Sequence, residues 1–187
     1  MEAVRQTEWT SVADYLAAEE RGEVRHEYIA GAIYAMAGAS DEHIAIGINI
    51  AVAFRNHLKG TSCRVQVFDG KVRLRMGTED IFYYPDVMVA CDSRDTDRYF
   101  KRFPKVLVEV LSETTEATDR REKFLSYRQI ETLEEYILVA QDKIEVTVFR
   151  RANHWQAEIL RQREDVLRFA SLNFSLSLLA VYEGVEF

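Results

Sequence analysis

Val106-Leu107-Val108-Glu109-Val110-Leu111 is a run of six residues, five of them branched aliphatic and one acidic. A run this short and this apolar reads as a strand buried on both faces. Glu109 is its only charge. An ionised carboxylate there costs several kcal/mol unless a cation or strong donors meet it, so something positive is expected beside it. A second apolar run, Pro85-Asp86-Val87-Met88-Val89-Ala90, also carries a single acid. Two such acids on neighbouring strands suggest a metal site.

The surrounding chain sets bounds on this idea. Its 187 residues are enough for one domain with a sizeable core. An apolar share of 48% and a charged share of 29% suit a soluble globular protein. The net charge of −7 argues against a broad basic surface gripping nucleic acid by phosphate neutralisation alone, while leaving room for a local basic patch. Cys63 and Cys91 form no C-x-x-C pair and no histidine cluster has zinc spacing, so reduced thiols and a cytoplasmic setting are expected. Met1 to Thr10 is polar and does not read as a signal peptide. No apolar stretch reaches the ~20 residues that span a bilayer.

Outward from the two acidic runs, the chain alternates helices and strands. Thr10 or Ser11 caps a first helix that ends at Gly22. Two short strands, His26 to Ile29 and Ile33 to Met36, surround a turn at Ala30-Gly31. Ser40-Asp41-Glu42 starts a second helix running to about Lys59, with Ile44, Ile48, Ala51, Val52 and Leu58 as its apolar stripe. Cys63 to Met76 reads as a hairpin around Asp69-Gly70, and Asp80 to Tyr84 as irregular chain. A charged loop from Asp92 to Arg102 separates the acidic runs, and a polar stretch from Ser112 to Thr118 leads into a helix from about Asp119 to Ile130. Strands follow at Glu135 to Ala140, Ile144 to Arg150 and His154 to Leu160. A short helix over Ser175 to Val181 closes the chain. The expected architecture is α+β, a mixed sheet with helices packed on it, in a single domain.

Asp86 and Glu109 lie 109 − 86 = 23 residues apart, room for one loop between adjacent strands. If both point the same way they make an oxygen-rich pocket of the kind that suits Mg²⁺ or Mn²⁺. Such a metal acidifies bound water and steadies charge on a phosphoryl oxygen. Asp119, Lys123 and Tyr127 are spaced i, i+4, i+8 and share one helix face. Lys123 is then either half of an exposed ion pair with Asp119 or a cation that reaches the carboxylate pocket, there to orient an attacking water or stabilise developing charge.

Four blocks in order carry a resemblance. They are Tyr84-Pro85-Asp86-Val87-Met88-Val89, Pro104-Lys105-Val106-Leu107-Val108-Glu109-Val110-Leu111-Ser112, Asp119-Arg120-Arg121-Glu122-Lys123-Phe124 and Glu134-Glu135-Tyr136-Ile137-Leu138-Val139. With them the chain resembles the Uma-type "putative restriction endonuclease" family, a former domain of unknown function placed in the PD-(D/E)XK nuclease superfamily. The resemblance covers roughly Thr10 to Glu183. It implies a restriction-endonuclease-like core, a central mixed sheet flanked by helices, in which Asp86 and Glu109 hold a divalent ion. The superfamily's Glu-x-Lys is broken here by Leu111. In the family the lysine is thought to have moved to the following helix, which maps onto Lys123. Glu27 resembles the family's early glutamate before a glycine turn.

Other residues carry weaker signals. His43, in the first turn of the second helix, is placed to bond a phosphate or the Glu27 carboxylate. Gln66 and Asp69 belong to the hairpin that should flank the site, Asp69 most simply as a turn residue. Arg94, Arg98, Lys101 and Arg102 are either phosphate contacts or a solvated loop. Tyr127 reads as core. The leading expectation is an Mg²⁺- or Mn²⁺-dependent endonuclease acting on DNA, cytoplasmic and paired as a homodimer so that two sites meet two strands. The rival is a nuclease-like module that binds nucleic acid or a protein partner without cutting it.

Overall fold

In a computed structural model, which describes residues 9–112 and 115–187, the Glu109 run forms the middle of an eight-residue strand, β8 (Pro104–Leu111). It is buried along nearly its whole length. β8 sits inside a six-stranded mixed sheet of order β11-β10-β9-β8-β6-β3. Its partners are β6 (Val87–Ala90), antiparallel, and β9 (Glu135–Ala140), parallel. Beyond them lie β3 (Arg64–Val67), β10 (Val146–Arg150) and β11 (Ala157–Leu160). Central strands flanked on both sides must be apolar on both faces, which is why β8 and β9 lack the alternation of a half-exposed strand.

The alternation of β8 divides two cores. Val106, Val108 and Val110 face the first, built with Ile46, Ile50 and Phe54 of helix α2 (Asp41–His57) and closed by the short helix α5 (Leu178–Val181). Leu107 and Leu111 face the second, where Val72, Leu74, Ile81 and Tyr83 arrive from another sheet. Glu109 shares their parity and therefore points into this second core. The other sheet has five strands in the order β2-β1-β5-β4-β7. They are β1 (His26–Ile29), β2 (Ala32–Ala35), β4 (Lys71–Met76), β5 (Glu79–Tyr83) and β7 (Phe100–Lys101). On its far face helix α1 (Val12–Arg21), capped by Ser11, packs Tyr15 against Tyr28, Phe82 and Phe100. A hairpin of β12 (Val166–Phe169) and β13 (Phe174–Ser177) covers one end of the first core.

The mixed α+β class holds, with two large sheets where one central sheet was expected. Several local expectations give way. Cys63 to Met76 is not a hairpin: β3 pairs with β6 and β4 with β5, so Asp69-Gly70 is a corner between two sheets. The left-handed residue of that corner is Phe68, at φ 56°. Gly70 is there for closeness, since a Cβ on it would lie 2.7 Å from Gln66 Cβ. Asp80 to Tyr84 is mostly strand β5. Ser175 to Val181 is half strand, half helix. In α2 the residues Ile44, Ile48 and Val52 are exposed, and Ile46, Gly47, Ile50, Ala51 and Phe54 form the buried face.

The thiols expected to be reduced are joined: Cys63 and Cys91 make a disulfide one step beyond the β3–β6 rung that pairs Arg64 with Ala90. Among the described residues no helix is long and apolar enough to cross a membrane. Most of the polar N-terminal stretch, and residues 113 and 114 of the polar stretch after β8, lie outside the described residues.

Candidate active site

Glu109 finds its cation. The chain after β8 forms a helical segment in three parts: α3 (Glu116–Thr118), a single wide π turn (Asp119–Lys123) and α4 (Phe124–Tyr127). Such a turn re-aims side chains relative to a regular helix and is often found at functional sites. Here it buries Asp119 and Lys123 together. Lys123 Nζ lies 3.0 Å from Glu27 Oε1, 3.1 Å from Asp119 Oδ1 and 3.4 Å from Glu109 Oε1. Tyr127, one turn further on, donates its hydroxyl to the same Glu109 oxygen at 2.9 Å. Tyr136 of β9 donates to the Asp119 carbonyl, and Lys123 Nζ stands 5.6 Å from the Tyr83 ring centre. Four elements from both sheets and the helical segment thus converge on one ammonium.

Asp86 stands at the mouth of this pocket. It immediately precedes β6. The last rung of the β6–β8 pairing sets Val87 opposite Val108, so continuing the register brings Asp86 to the level of Glu109. Its carboxylate is fixed at both oxygens. Val110 N–H of β8 donates to Oδ2 at 2.6 Å, and His43 Nε2 lies 2.8 Å from Oδ1. His43 is held in turn by the start of α2, where the Ser40 side chain caps the helix by accepting from the His43 backbone N–H.

The electrostatics follow from three carboxylates meeting one cation out of water. Burial pushes the Glu109 carboxyl well above its ordinary range. Lys123 opposes that rise, while Asp119, Asp86 and Glu27 add to it as like charges. Burial alone would neutralise Lys123, but Glu109, Glu27 and Asp119 outweigh it and hold the ammonium well above the usual lysine range. Burial and the nearby Glu109 also keep Tyr127 protonated, so its hydroxyl stays a donor. Negative charge exceeds positive in this pocket.

The donors are all hard oxygens, the chemistry of Mg²⁺ and Mn²⁺ sites. Among the described residues no three or more His, Cys, Asp or Glu side chains are disposed to cage a metal. Mg²⁺ is commonly held without such a cage, by one or two carboxylates completed by water and substrate phosphates. Asp86 and Glu109 fit that pattern.

The structure brings Glu27, Glu109 and Lys123 into direct contact and sets Asp86 with His43 beside them. His43 bonds Asp86, where the sequence suggested Glu27 or a phosphate. Asp119 is a buried member of the cluster, where an exposed pair was one reading. Tyr127 is core and also donates to Glu109, a contact its place on the Asp119–Lys123 face could have signalled. Asp69 does not join this cluster and pairs with Arg25 at 2.5 Å. Among the described residues Gln66 Oε1, on β3, is buried without a hydrogen-bond partner. Arg94 pairs with Asp92 and Glu131 on the surface, and the Lys101 ammonium binds the Asp97 carbonyl.

Comparison with known proteins agrees with this architecture. The Uma2 family, described as "Putative restriction endonuclease", matches residues 12–181. The uncharacterized protein slr1290 of Synechocystis sp. (strain PCC 6803) is 36% identical over 179 residues, covering 95% of this chain and 93% of that one. The uncharacterized protein sll1609 of the same organism is 31% identical over 144 residues, covering 75% and 80%. A crystal structure from Anabaena variabilis, titled as a "putative nuclease belonging to DUF820", superposes with a TM-score of 0.74 at 19% identity, covering 92% of this chain and 97% of that one. At that identity the likeness speaks for the fold.

Proposed function

The chain belongs to the Uma2 putative restriction endonuclease family, and from that premise we propose that it is a divalent-metal-dependent endonuclease hydrolysing phosphodiester bonds in DNA. The observation that carries the reading is the buried Lys123 gathered with Glu109, Glu27 and Asp119 beside Asp86. It restores, from a helix, the lysine that Leu111 denies to the strand. Asp86 and Glu109 are the residues that would hold Mg²⁺ or Mn²⁺. When bound, that ion supplies Lewis acidity at a phosphoryl oxygen and a more acidic water. His43 and the Val110 N–H fix the Asp86 carboxylate, and Tyr127 fixes that of Glu109, so both carboxylates would already be oriented when the ion arrives. Lys123 orients the incoming water and offsets charge developing on the phosphate. Glu27 and Asp119 keep it protonated and in place.

Residues 1–187 act in this reading as one catalytic domain, working as a pair when both strands are cut. The rival, a non-cutting nucleic-acid or protein-binding module, draws on the same ion-paired Lys123, which three carboxylates already occupy. Titration with Mn²⁺ separates the two. The proposal expects saturable binding by the wild type and its loss in Asp86→Ala. Absence of Mn²⁺ binding by the wild type at millimolar concentration would favour the non-cutting module.

A further inference from the structure

A second group of charges lies on the far face of the five-stranded sheet. Along β4, Val72 and Leu74 enter the core that holds Glu109, so Lys71 and Arg73 point the other way, toward α1. Arg73 lies over the Phe82 and Phe100 rings there. Lys71 is 8% exposed and lines a cavity of about 420 Å³. Its ammonium makes no ion pair or hydrogen bond among the described residues and stands 5.3 Å from the centre of the Tyr84 ring. Burial draws its pKa below the ordinary lysine value, and the Glu19 carboxylate, acting through space, is the largest influence opposing that fall. A lysine this buried normally has an anion beside it.

The carboxylates around the cavity are already committed. Glu19 accepts from Tyr84, from His26 Nδ1 at 2.9 Å and from the His26 backbone. Glu20 accepts from Tyr99 at 2.8 Å, and Asp69 from Arg25 at 2.5 Å. Arg98 also lines the cavity, and its guanidinium makes no ion pair or hydrogen bond among the described residues; it lies 5.9 Å from the Tyr99 ring centre. Glu19 and Glu20 keep their charge, since tyrosine hydroxyls and a backbone N–H do not neutralise them; Lys71 and Arg98 are the cations on this cavity that no carboxylate touches among the described residues.

We propose that this cavity binds a phosphate group, with Lys71 as the buried charge and Arg98 as an exposed outer donor. A phosphate dianion is the ligand that uses both cations. The volume leaves room for whatever carries the phosphate, and Tyr99 offers a ring beside it. The carrier is either a free phosphorylated small molecule or the backbone of a nucleic-acid strand. The site is separated from Lys123 by the sheet itself and does not depend on the nuclease reading.

The test is calorimetric titration of the metal-free protein with inorganic phosphate, using wild type, Lys71→Met and Arg98→Gln. Binding by the wild type is expected, weakened about tenfold or more in each variant, the worth of one charge-assisted hydrogen bond. Arg98 is exposed, so its variant does not endanger the fold. Lys71→Met also withdraws a cation that acts on the buried Glu19, so its fold is checked by circular dichroism, and Arg98→Gln alone decides the outcome should that variant not fold. Competition by deoxyadenosine 5′-monophosphate but not by single-stranded DNA would identify a small-molecule carrier, and the reverse a strand. Absence of phosphate binding by the wild type, or equal affinity in all three proteins, would overturn the proposal.

Discussion

Replacing Lys123 by methionine probes the site most severely, because it leaves three carboxylates facing one another with nothing between them. The ammonium lies 3.0, 3.1 and 3.4 Å from Glu27, Asp119 and Glu109. At an effective dielectric constant of about 20, each contact is worth about 5 kcal/mol of Coulomb attraction. The desolvation of the four groups offsets most of that sum. Experience with broken buried ion pairs puts the net loss of stability at about 3–5 kcal/mol. The loss also has a definite pH dependence. In the wild type the lysine's folded pKa lies above its ordinary value, so its contribution is complete at neutral pH and fades only as pH rises through that folded value. In Lys123→Met, Glu109 loses the cation that opposes the rise of its folded pKa, and that pKa climbs further. The folded state then binds more protons than the unfolded one, and stability falls as pH increases. Urea unfolding followed by circular dichroism should show a deficit near its full size at about pH 8 and clearly smaller at about pH 5. A deficit below about 1 kcal/mol, or one equal at both pH values, would refute the reasoning that the three acids depend on Lys123.

Three further outcomes follow from the same geometry. Because burial raises the Glu109 pKa, Mn²⁺ must displace a proton; its affinity should rise with pH, and calorimetry in two buffers of different ionisation enthalpy should register proton release. His43→Ala frees one oxygen of Asp86 and should weaken Mn²⁺ binding by about tenfold or more, with His43→Gln recovering part of the loss, as read by titration. The Cys63–Cys91 bond closes a 28-residue separation, so a Cys63→Ser/Cys91→Ser variant should lose about 3–4 kcal/mol on the loop-entropy argument, measured by denaturant unfolding.

The parts of this site that could be read from sequence were those where a residue contradicts its surroundings. Glu109 is an acid in an apolar run, and β8 carries it as expected. Asp119, Lys123 and Tyr127 share a helix face, and the structure turns that face to Glu109 even though a wide turn interrupts the helix. What could not be read depends on partners distant in the chain. In α2, Ile44, Ile48 and Val52 repeat as regularly as Ile46, Ile50 and Phe54, and only packing against β8 chooses the second set. Asp69-Gly70 satisfies the hairpin rule locally, yet its flanking strands find stronger partners in β5 and β6. Nothing near Cys63 announces that the β3–β6 register will set it opposite Cys91. His43 meets Asp86 for the same reason: 43 residues separate them, and the fold brings them to 2.8 Å.

Nuclease activity in Mn²⁺ tests most sharply whether Asp86, Glu109 and Lys123 form a metal-dependent phosphodiesterase site. Purified wild type and Glu109→Gln would be incubated with supercoiled plasmid and with single-stranded DNA. Glutamine keeps the shape of the side chain and an oxygen for Tyr127, so the variant should stay folded. Cleavage by the wild type and none by Glu109→Gln is the expected result. Equal cleavage by both proteins would contradict it.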